Sequence, residues 1–546
     1  MKIWSLKGKD ILIIDDFPGM RTMLKNMLAV YNANSITDAV NGEEAIKLIS
    51  ENQYDVILCD YNLGNGKDGQ QVLEEAKERD LIPYSSIYIM TTAENTAEMV
   101  MGAVEYIPDD YLSKPFTKEV LIARLKRLVE KKENLREISQ AIQQRDYLSA
   151  IDICEKLLDN KPKNRYELLK TQAELYIKVK DYDNAEAVVN AVLQEREIPW
   201  ALLYLGQIHF HRGKYDEARY IFEDLSADNP NYLFAHDWLS IVHEKTGDLK
   251  NSQDALMRAI EKSPKAIKRQ QSLASIAFKN QDLDTSEKAY KRIVRTGKHS
   301  CYFTPDDYSG LARVYIKKGM TADALNTLSS MKESFCLPNS DLNLKYYIHE
   351  AAIHNEMLNN EKTVSSLNKI MDIFEVSPGE MNSSDAIDIA EICYAHGMHD
   401  AGNKLSCHAI RNNHDNQEAI DEIITRLSAS GLSIENIDTL METRDEVVEL
   451  NNRGVKLATN GNIQESISLF VKAAAAMAEN KVINLNAAQS LIMFMKQAGP
   501  THALLNETKK YLDRVSFDGK PSDKYRMLTK LYREQKKSAD KQSSQS

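Results

Sequence analysis

At 546 residues the chain is long enough for three or four domains of roughly 150 residues each, and its 43% apolar and 27% charged content is that of a globular protein. A net charge of −11 leaves no electrostatic footprint for nucleic acid, and the one basic run, Lys262 to Arg269, reads as a solvated helix start. No run approaches the roughly 18–20 apolar residues of a membrane span. The opening MKIWSLKGKDILIIDD lacks a secretory pattern, and six cysteines without CxxC pairs (Cys59, Cys154, Cys301, Cys336, Cys393, Cys407) read as reduced thiols, so a cytoplasmic protein is expected.

The first 130 residues alternate strand and helix signals. DILIID at 10–15 is a short branched apolar run, the mark of a buried parallel strand. Helix follows from Pro18 to about Val30, strand at 33–38, helix at 42–50, and a third strand, YDVILCD, at 54–60. Helix at 69–79, strand at 87–91, helix at 95–102, a short strand at 110–113 and a long helix from Thr117 complete the region. This alternation predicts an α/β doubly wound, five-stranded parallel sheet, whose ligand site lies beyond the carboxyl ends of the strands. Asp15 and Asp16 follow strand one, Asp60 ends strand three, Thr92 follows strand four and Lys114 follows strand five, so all five come to one edge.

From about Glu133 the strand signals stop. Ala185, Ala218, Ser252 and Ser286 recur at intervals of 33, 34 and 34, each after a short turn: KDYDNA, GKYDEA, GDLKNS, QDLDTS. A helix–turn–helix period of 34 is the signature of the tetratricopeptide repeat. The clearest copy, 199–230, carries Leu205-Gly206, Ala218, Phe222 and Pro230 at the repeat's offsets. Small residues at 206 and 218 let the two helices approach, and Phe222 fills the gap toward the next repeat. About nine helix pairs are expected over 133–497 as an all-α superhelix, with weak copies near 341–377 and 416–445. Capping helices are expected at 498–535 and a disordered polar tail at 536–546.

A first domain is expected at 1–132, and over about residues 8–130 it resembles the receiver (CheY-like) domain of two-component response regulators. The acid pair Asp15-Asp16, Asp60, Thr92 and Lys114-Pro115 carry the resemblance, with 44 residues from Asp16 to Asp60 and 22 from Thr92 to Lys114. It implies that Asp60 accepts a phosphoryl group, that Asp15, Asp16, Asp60 and the backbone carbonyl of Asn62 hold Mg²⁺, and that Lys114 and Thr92 contact the phosphoryl oxygens. It further implies a cis Lys114-Pro115 bond, and Tyr111 as a switch aromatic. The chain departs from the family in two places. The loop DYNLGNGKDG is one residue longer and lacks the usual proline, and Ile107-Pro108 replaces the common Gly-Ala beside Tyr111, a face that leaves a homodimer open.

Tetratricopeptide repeats imply protein binding in the groove lined by the first helix of each pair. Its expected positions are Trp200, Leu203, Gln207, Phe210, His211, Phe234, Asp237, Glu244, Lys245, Lys268, Gln271, Phe278 and Lys279. His396 and His399 read as surface residues. Together these features predict a phosphorylation-regulated signalling adaptor, not an enzyme beyond its own phosphoryl transfer and dephosphorylation. Its expected partners are a histidine kinase or phosphotransfer protein and a protein bound by the repeats, with no nucleic acid. The alternatives are a phosphate sink that drains a kinase, and a constitutive scaffold whose receiver dimerises.

Overall fold

The computed structural model describes residues 4–93, 108–132, 135–143, 146–160, 162–335, 342–430, 434–515 and 522–543. The helix expected at 95–102 and Ile107 lie outside them. The chain divides into two compact units, Met1–Val314 and Tyr315–Ser546. The boundary expected at 132/133 therefore falls inside the first unit, where the sheet domain and the leading repeats pack as one body.

Five parallel strands, β1 (Asp10–Ile14), β2 (Ser35–Ala39), β3 (Val56–Asp60), β4 (Ile87–Thr92) and β5 (Asp110–Ser113), form one sheet in the order β2-β1-β3-β4-β5. Of the three interior strands, β3 and β4 are buried along their whole length, which is why they read as continuous apolar runs. Helices α1 (Pro18–Ala29), α2 (Gly42–Glu51), α3 (Gly69–Glu78) and α4 (Lys118–Lys132) cover the two faces. Leu12, Ile14, Ile57 and Met90 pack under α2 and α3, whereas Ile11, Ile13, Leu58 and Ile89 pack under α1 and α4. Alternate side chains of each strand thus feed opposite cores. In register, Ile14 faces Cys59, Asp60 faces Thr91 and Thr92 faces Ser113, so the residues after these strand ends meet at one edge.

The rest of the first unit is paired helices: α5 (Arg136–Gln143) with α6 (Tyr147–Asp159), α7 (Arg165–Lys178) with α8 (Tyr182–Glu195), α9 (Pro199–His211) with α10 (Tyr215–Asp228), α11 (Leu233–Lys245) with α12 (Leu249–Lys262), and α13 (Ile267–Lys279) with α14 (Leu283–Thr296). The repeated turn motif has a local cause. Asp146, Asp181, Asp248 and Asp282 each accept a hydrogen bond from the backbone N–H three residues on, capping the second helix of their pairs. The residue before Asp181, Lys214, Asp248 and Asp282 takes the left-handed conformation. Glycine fills it at Gly213 and Gly247, while Lys180 and Gln281 bear it at φ near 60°.

The small residues of the period behave as their spacing requires. Ala185, Ala218, Ser252 and Ser286 have no exposed surface. The serines remain satisfied because Ser252 Oγ donates to the Ser240 carbonyl (2.9 Å) and Ser286 Oγ to that of Ala274 (2.8 Å), each on the partner helix. A Cβ on Gly206 would lie 2.4 Å from the Phe222 ring. Phe222 is itself fully buried, so Phe222→Ala is expected to destabilise the first unit by about 3–5 kcal/mol in denaturant unfolding, through lost burial and the cavity left behind.

The second unit continues as helix pairs, among them Leu342–Glu356 with Asn360–Val376 and Ser383–Ala395 with His399–Asn412. Two expectations change there. In the weak copy at 416–445, the second helix does not end: Ile434–Thr459 is one helix of 26 residues that runs on into the next pair. The tail expected to be disordered from 536 is instead helical as far as Ser543, in the helix Asp523–Ser543. Leu528 and Ala539 lie on one face of it, three turns apart, and bury against the helix Lys481–Ala498. Tyr525, Leu531 and Tyr532 pack partly buried against the same cluster. No helix among the described residues is long and apolar enough to cross a membrane.

Candidate functional site

The carboxyl edge of the sheet gathers the acids. Asp15 is 1% exposed, Asp60 9% and Thr92 7%, while Asp16 is exposed. Carboxylate oxygens of Asp15, Asp16 and Asp60 lie within 4.8 Å of one another. Three hard, anionic oxygen donors this close suit a magnesium-type cation, which prefers carboxylates and water. Lys114 completes the group, its Nζ 2.8 Å from Asp15 Oδ2 and 2.9 Å from Asp60 Oδ2. The Lys114-Pro115 peptide is cis, and the Lys114 N–H donates to the Thr92 carbonyl (2.7 Å). Thus β5 places the lysine by its backbone, not by chance of rotamer.

Electrostatics follow from this packing. Burial raises the Asp60 carboxyl above the ordinary range, and the Lys114 bond opposes it only in part. Burial alone would lower the Lys114 ammonium, but its bonds to Asp15 and Asp60 outweigh that and hold it charged. Burial pushes the neighbouring Cys59 thiol well up, which leaves it inert.

Two supports were not read from the sequence. Arg21 donates to the backbone carbonyls of Asp15 (2.7 Å) and Asp16 (3.1 Å), and its Nε reaches Asp38 (3.2 Å), fixing the turn that carries the acid pair. An arginine one turn into the helix after that pair is the only sequence signal for it. The second is Gly69, the first residue of α3: a Cβ there would sit 2.1 Å from the Asp60 carbonyl oxygen. Asn62 is exposed, with its side-chain oxygen accepting from the Gly64 N–H (3.2 Å). Tyr111 is half-buried against the core that holds Tyr61, Leu63 and Met90; burial, then the nearby Tyr61, raises its hydroxyl pKa.

The expected groove positions separate into two groups. Phe234, Asp237, Glu244, Lys268 and Gln271 line one cleft of about 650 Å³ between α11 and α13. Lys279 closes its end through an ion pair with Glu244 (2.6 Å). The aromatics of α9 do not line that cleft. Trp200 packs edge-on to Tyr204, and Phe210 sits among Tyr215, His211 and Trp238. His211 stacks on Tyr182 of α8 (5.5 Å), and Leu203 is buried. Phe210 and His211 thus join α9 to its neighbouring helices, and Trp200 packs against the cluster that holds Val189 and Val192 of α8. Gln207 and Phe278 are half-buried and Lys245 is exposed, all three outside the cleft.

The family description "Response regulator receiver domain" matches residues 11–126, and "Tetratricopeptide repeat" matches 170–232. The chain is 29% identical over 125 residues to chemotaxis protein CheY-3 of Vibrio cholerae, covering 23% of this chain and 95% of that protein. It is 27% identical over 121 residues to chemotaxis protein CheY of Pseudomonas aeruginosa, at 22% and 96% coverage. Among solved structures, a tetratricopeptide repeat protein from Parabacteroides merdae is similar at 15% identity and a TM-score of 0.32, over 44% of this chain and 93% of that one. The chain therefore carries a receiver domain followed by tetratricopeptide repeats: a response regulator with a protein-interaction region.

Proposed function

We propose that the protein is a phosphorylation-controlled adaptor of a two-component relay in the cytoplasm. The observation that carries this reading is the bridging of Asp15 and Asp60 by Lys114 beside Asp16. An Asp60 carboxylate oxygen attacks the phosphorus of a phosphohistidine on a kinase or phosphotransfer protein. The P–N bond breaks, an acyl phosphate forms, and the imidazole leaves and regains its proton from solvent. Asp15, Asp16 and Asp60, with the Asn62 carbonyl, would hold Mg²⁺, which supplies charge neutralisation for the transferring group. Lys114 gives up its Asp60 bond to a phosphoryl oxygen, and Thr92 donates to another. The repeats bind a protein partner.

Lys114→Ala removes a positioned cation, so the rate of phosphoryl uptake from acetyl phosphate is expected to fall about 100-fold or more. Calorimetric Mg²⁺ affinity should hold or rise, because the site becomes more negative. An unchanged uptake rate would remove the lysine from the reaction. The adaptor reading itself is tested by affinity capture with the full chain, once with Mg²⁺ and beryllofluoride and once as Asp60→Asn. A partner retained in one state only supports it. Identical partners in both states would favour a scaffold, and a kinase alone among them a phosphate sink.

A further inference from the structure

The α3 helix of a lone receiver should bury one face and wet the other. Here it buries both. Val72, Leu73 and Ala76 face the sheet, yet Gln70 and Glu74 on the opposite side are each only 8% exposed. The repeat region of the same compact unit reaches Glu74 and, one turn on, Glu78. Ser300 Oγ bonds Glu74 (3.1 Å), the Tyr302 hydroxyl donates to Glu78 (2.6 Å), and Lys268 Nζ pairs with Glu78 (3.2 Å). Next to the acceptor, Lys265 lies over the Tyr61 ring (5.4 Å from its centre) and 3.3 Å from its hydroxyl, and Lys67 donates to the His299 carbonyl (2.7 Å). At the far end of α3 the Tyr84 hydroxyl donates to Glu174 of α7 (2.7 Å).

Both sides of this contact are departures from their families' patterns. On the receiver it is the lengthened loop 61–68. On the repeats it is the segment between α14 and α15 (Pro305–Lys317), where the period stretches to 38 residues, from Ser286 to Ala324. Lys268 borders the cleft lined by Phe234, Asp237 and Gln271, so the contact sits at the mouth of the groove.

We propose that the repeat surface formed by Lys265, Lys268, Ser300 and Tyr302 is a receptor for an acidic helix with carboxylates four residues apart. Its resident occupant is α3 of the chain's own receiver, and phosphorylation of Asp60 releases it. This rests on the reading of Asp60 as phosphoryl acceptor. The route is short. Inserting a phosphoryl group between Asp60 and Lys114 must break their direct 2.9 Å bond and part them. The start of α3 has no slack to absorb that movement, because Gly69 abuts the Asp60 carbonyl and its N–H donates to the Tyr61 carbonyl (2.8 Å). A shift of Asp60 is therefore a shift of α3 and Tyr61. Apart from the buried Ser300–Glu74 bond, the contacts it must preserve are partly exposed ion pairs and hydrogen bonds at 2.6–3.3 Å, each individually weak. A partner of the groove mouth competes by presenting acids at the spacing of Glu74 and Glu78.

The test is amide hydrogen exchange on the full chain, following segments 69–78 and 298–304. Mg²⁺ with beryllofluoride is expected to speed exchange in both by about tenfold or more. Glu78→Lys should do so without beryllofluoride, and Glu78→Lys combined with Lys268→Glu should restore protection. The acyl phosphate is read separately on the intact mass after acetyl phosphate. If Asp60 takes up a phosphoryl group while exchange stays unchanged, this inference fails and the acceptor reading stands. If no phosphoryl group is taken up, both fail. Wild-type exchange in Glu78→Lys would show that α3 is not held by this surface.

Discussion

Asp60→Asn is expected to abolish phosphoryl uptake and, with it, every phosphorylation-dependent difference in partner binding. The substitution keeps the shape of the side chain and removes the nucleophilic carboxylate. Asn still offers an oxygen to Lys114, and Lys114 keeps its second partner, Asp15, at 2.8 Å. The ammonium is thus not orphaned, and the fold should be retained to within about 1 kcal/mol, or even stabilised, since burial disfavours the Asp60 charge. Uptake of phosphate from acetyl phosphate should fall by more than about 1000-fold, because loss of a nucleophile leaves no alternative acceptor in the site. Asp15 is the one other buried carboxylate there, but its oxygens are engaged by Lys114 and by the Phe17 N–H (2.9 Å). Intact mass and capture of partners, measured on the same preparation, separate the two effects. Residual uptake near the wild-type rate would place the acceptor elsewhere.

The site was legible because its residues sit at strand ends. A parallel sheet fixes where strand ends go, so DILIIDD, YDVILCD and DYLSKP announce their convergence without any tertiary information. The repeats were legible for a related reason: a fixed period reports small residues that must lie between helices, and Ala218 with Phe222 and Gly206 do so. The groove was less legible. An aromatic on the first helix of a repeat can face the groove or its neighbouring helix, and Trp200 and Phe210 pack against neighbours. The contact of α3 with the repeats was illegible in its parts. Glu74 and Glu78 carry no sequence signal and Lys268 reads as a groove position, and only their pairing, 190 residues apart for Glu78 and Lys268, joins the two regions. One trace was present, the stretched period between Ser286 and Ala324, which marks an inserted segment that something must use.

Gly69→Ala is expected to cost more than any other small substitution in the receiver. The added methyl would lie 2.1 Å from the Asp60 carbonyl oxygen and 3.0 Å from the Cys59 sulfur. Backbone cannot rotate out of the way as a side chain can, so β3 and α3 must separate by about an ångström. Overpacking of this kind costs about 1–3 kcal/mol in ordinary cores, and a backbone contact belongs at or above the top of that range. The same shift moves the acceptor out of line with Lys114, and a misplacement of about 1 Å at a reacting centre is worth about 100-fold in rate. Gly64→Ala is the control. It lies in the loop ahead of α3 and carries a positive φ of 75°, but the nearest atom to its Cβ is Asp16 Oδ2 at 3.4 Å, so only the conformational penalty of about 1–2 kcal/mol applies. Denaturant unfolding and the rate of phosphoryl uptake should therefore both suffer in Gly69→Ala, and mainly the first, mildly, in Gly64→Ala. A Gly69→Ala protein that unfolds and takes up phosphate like the wild type would show that α3 is free to move independently of Asp60, and the path from acceptor to repeats would have to run through another element.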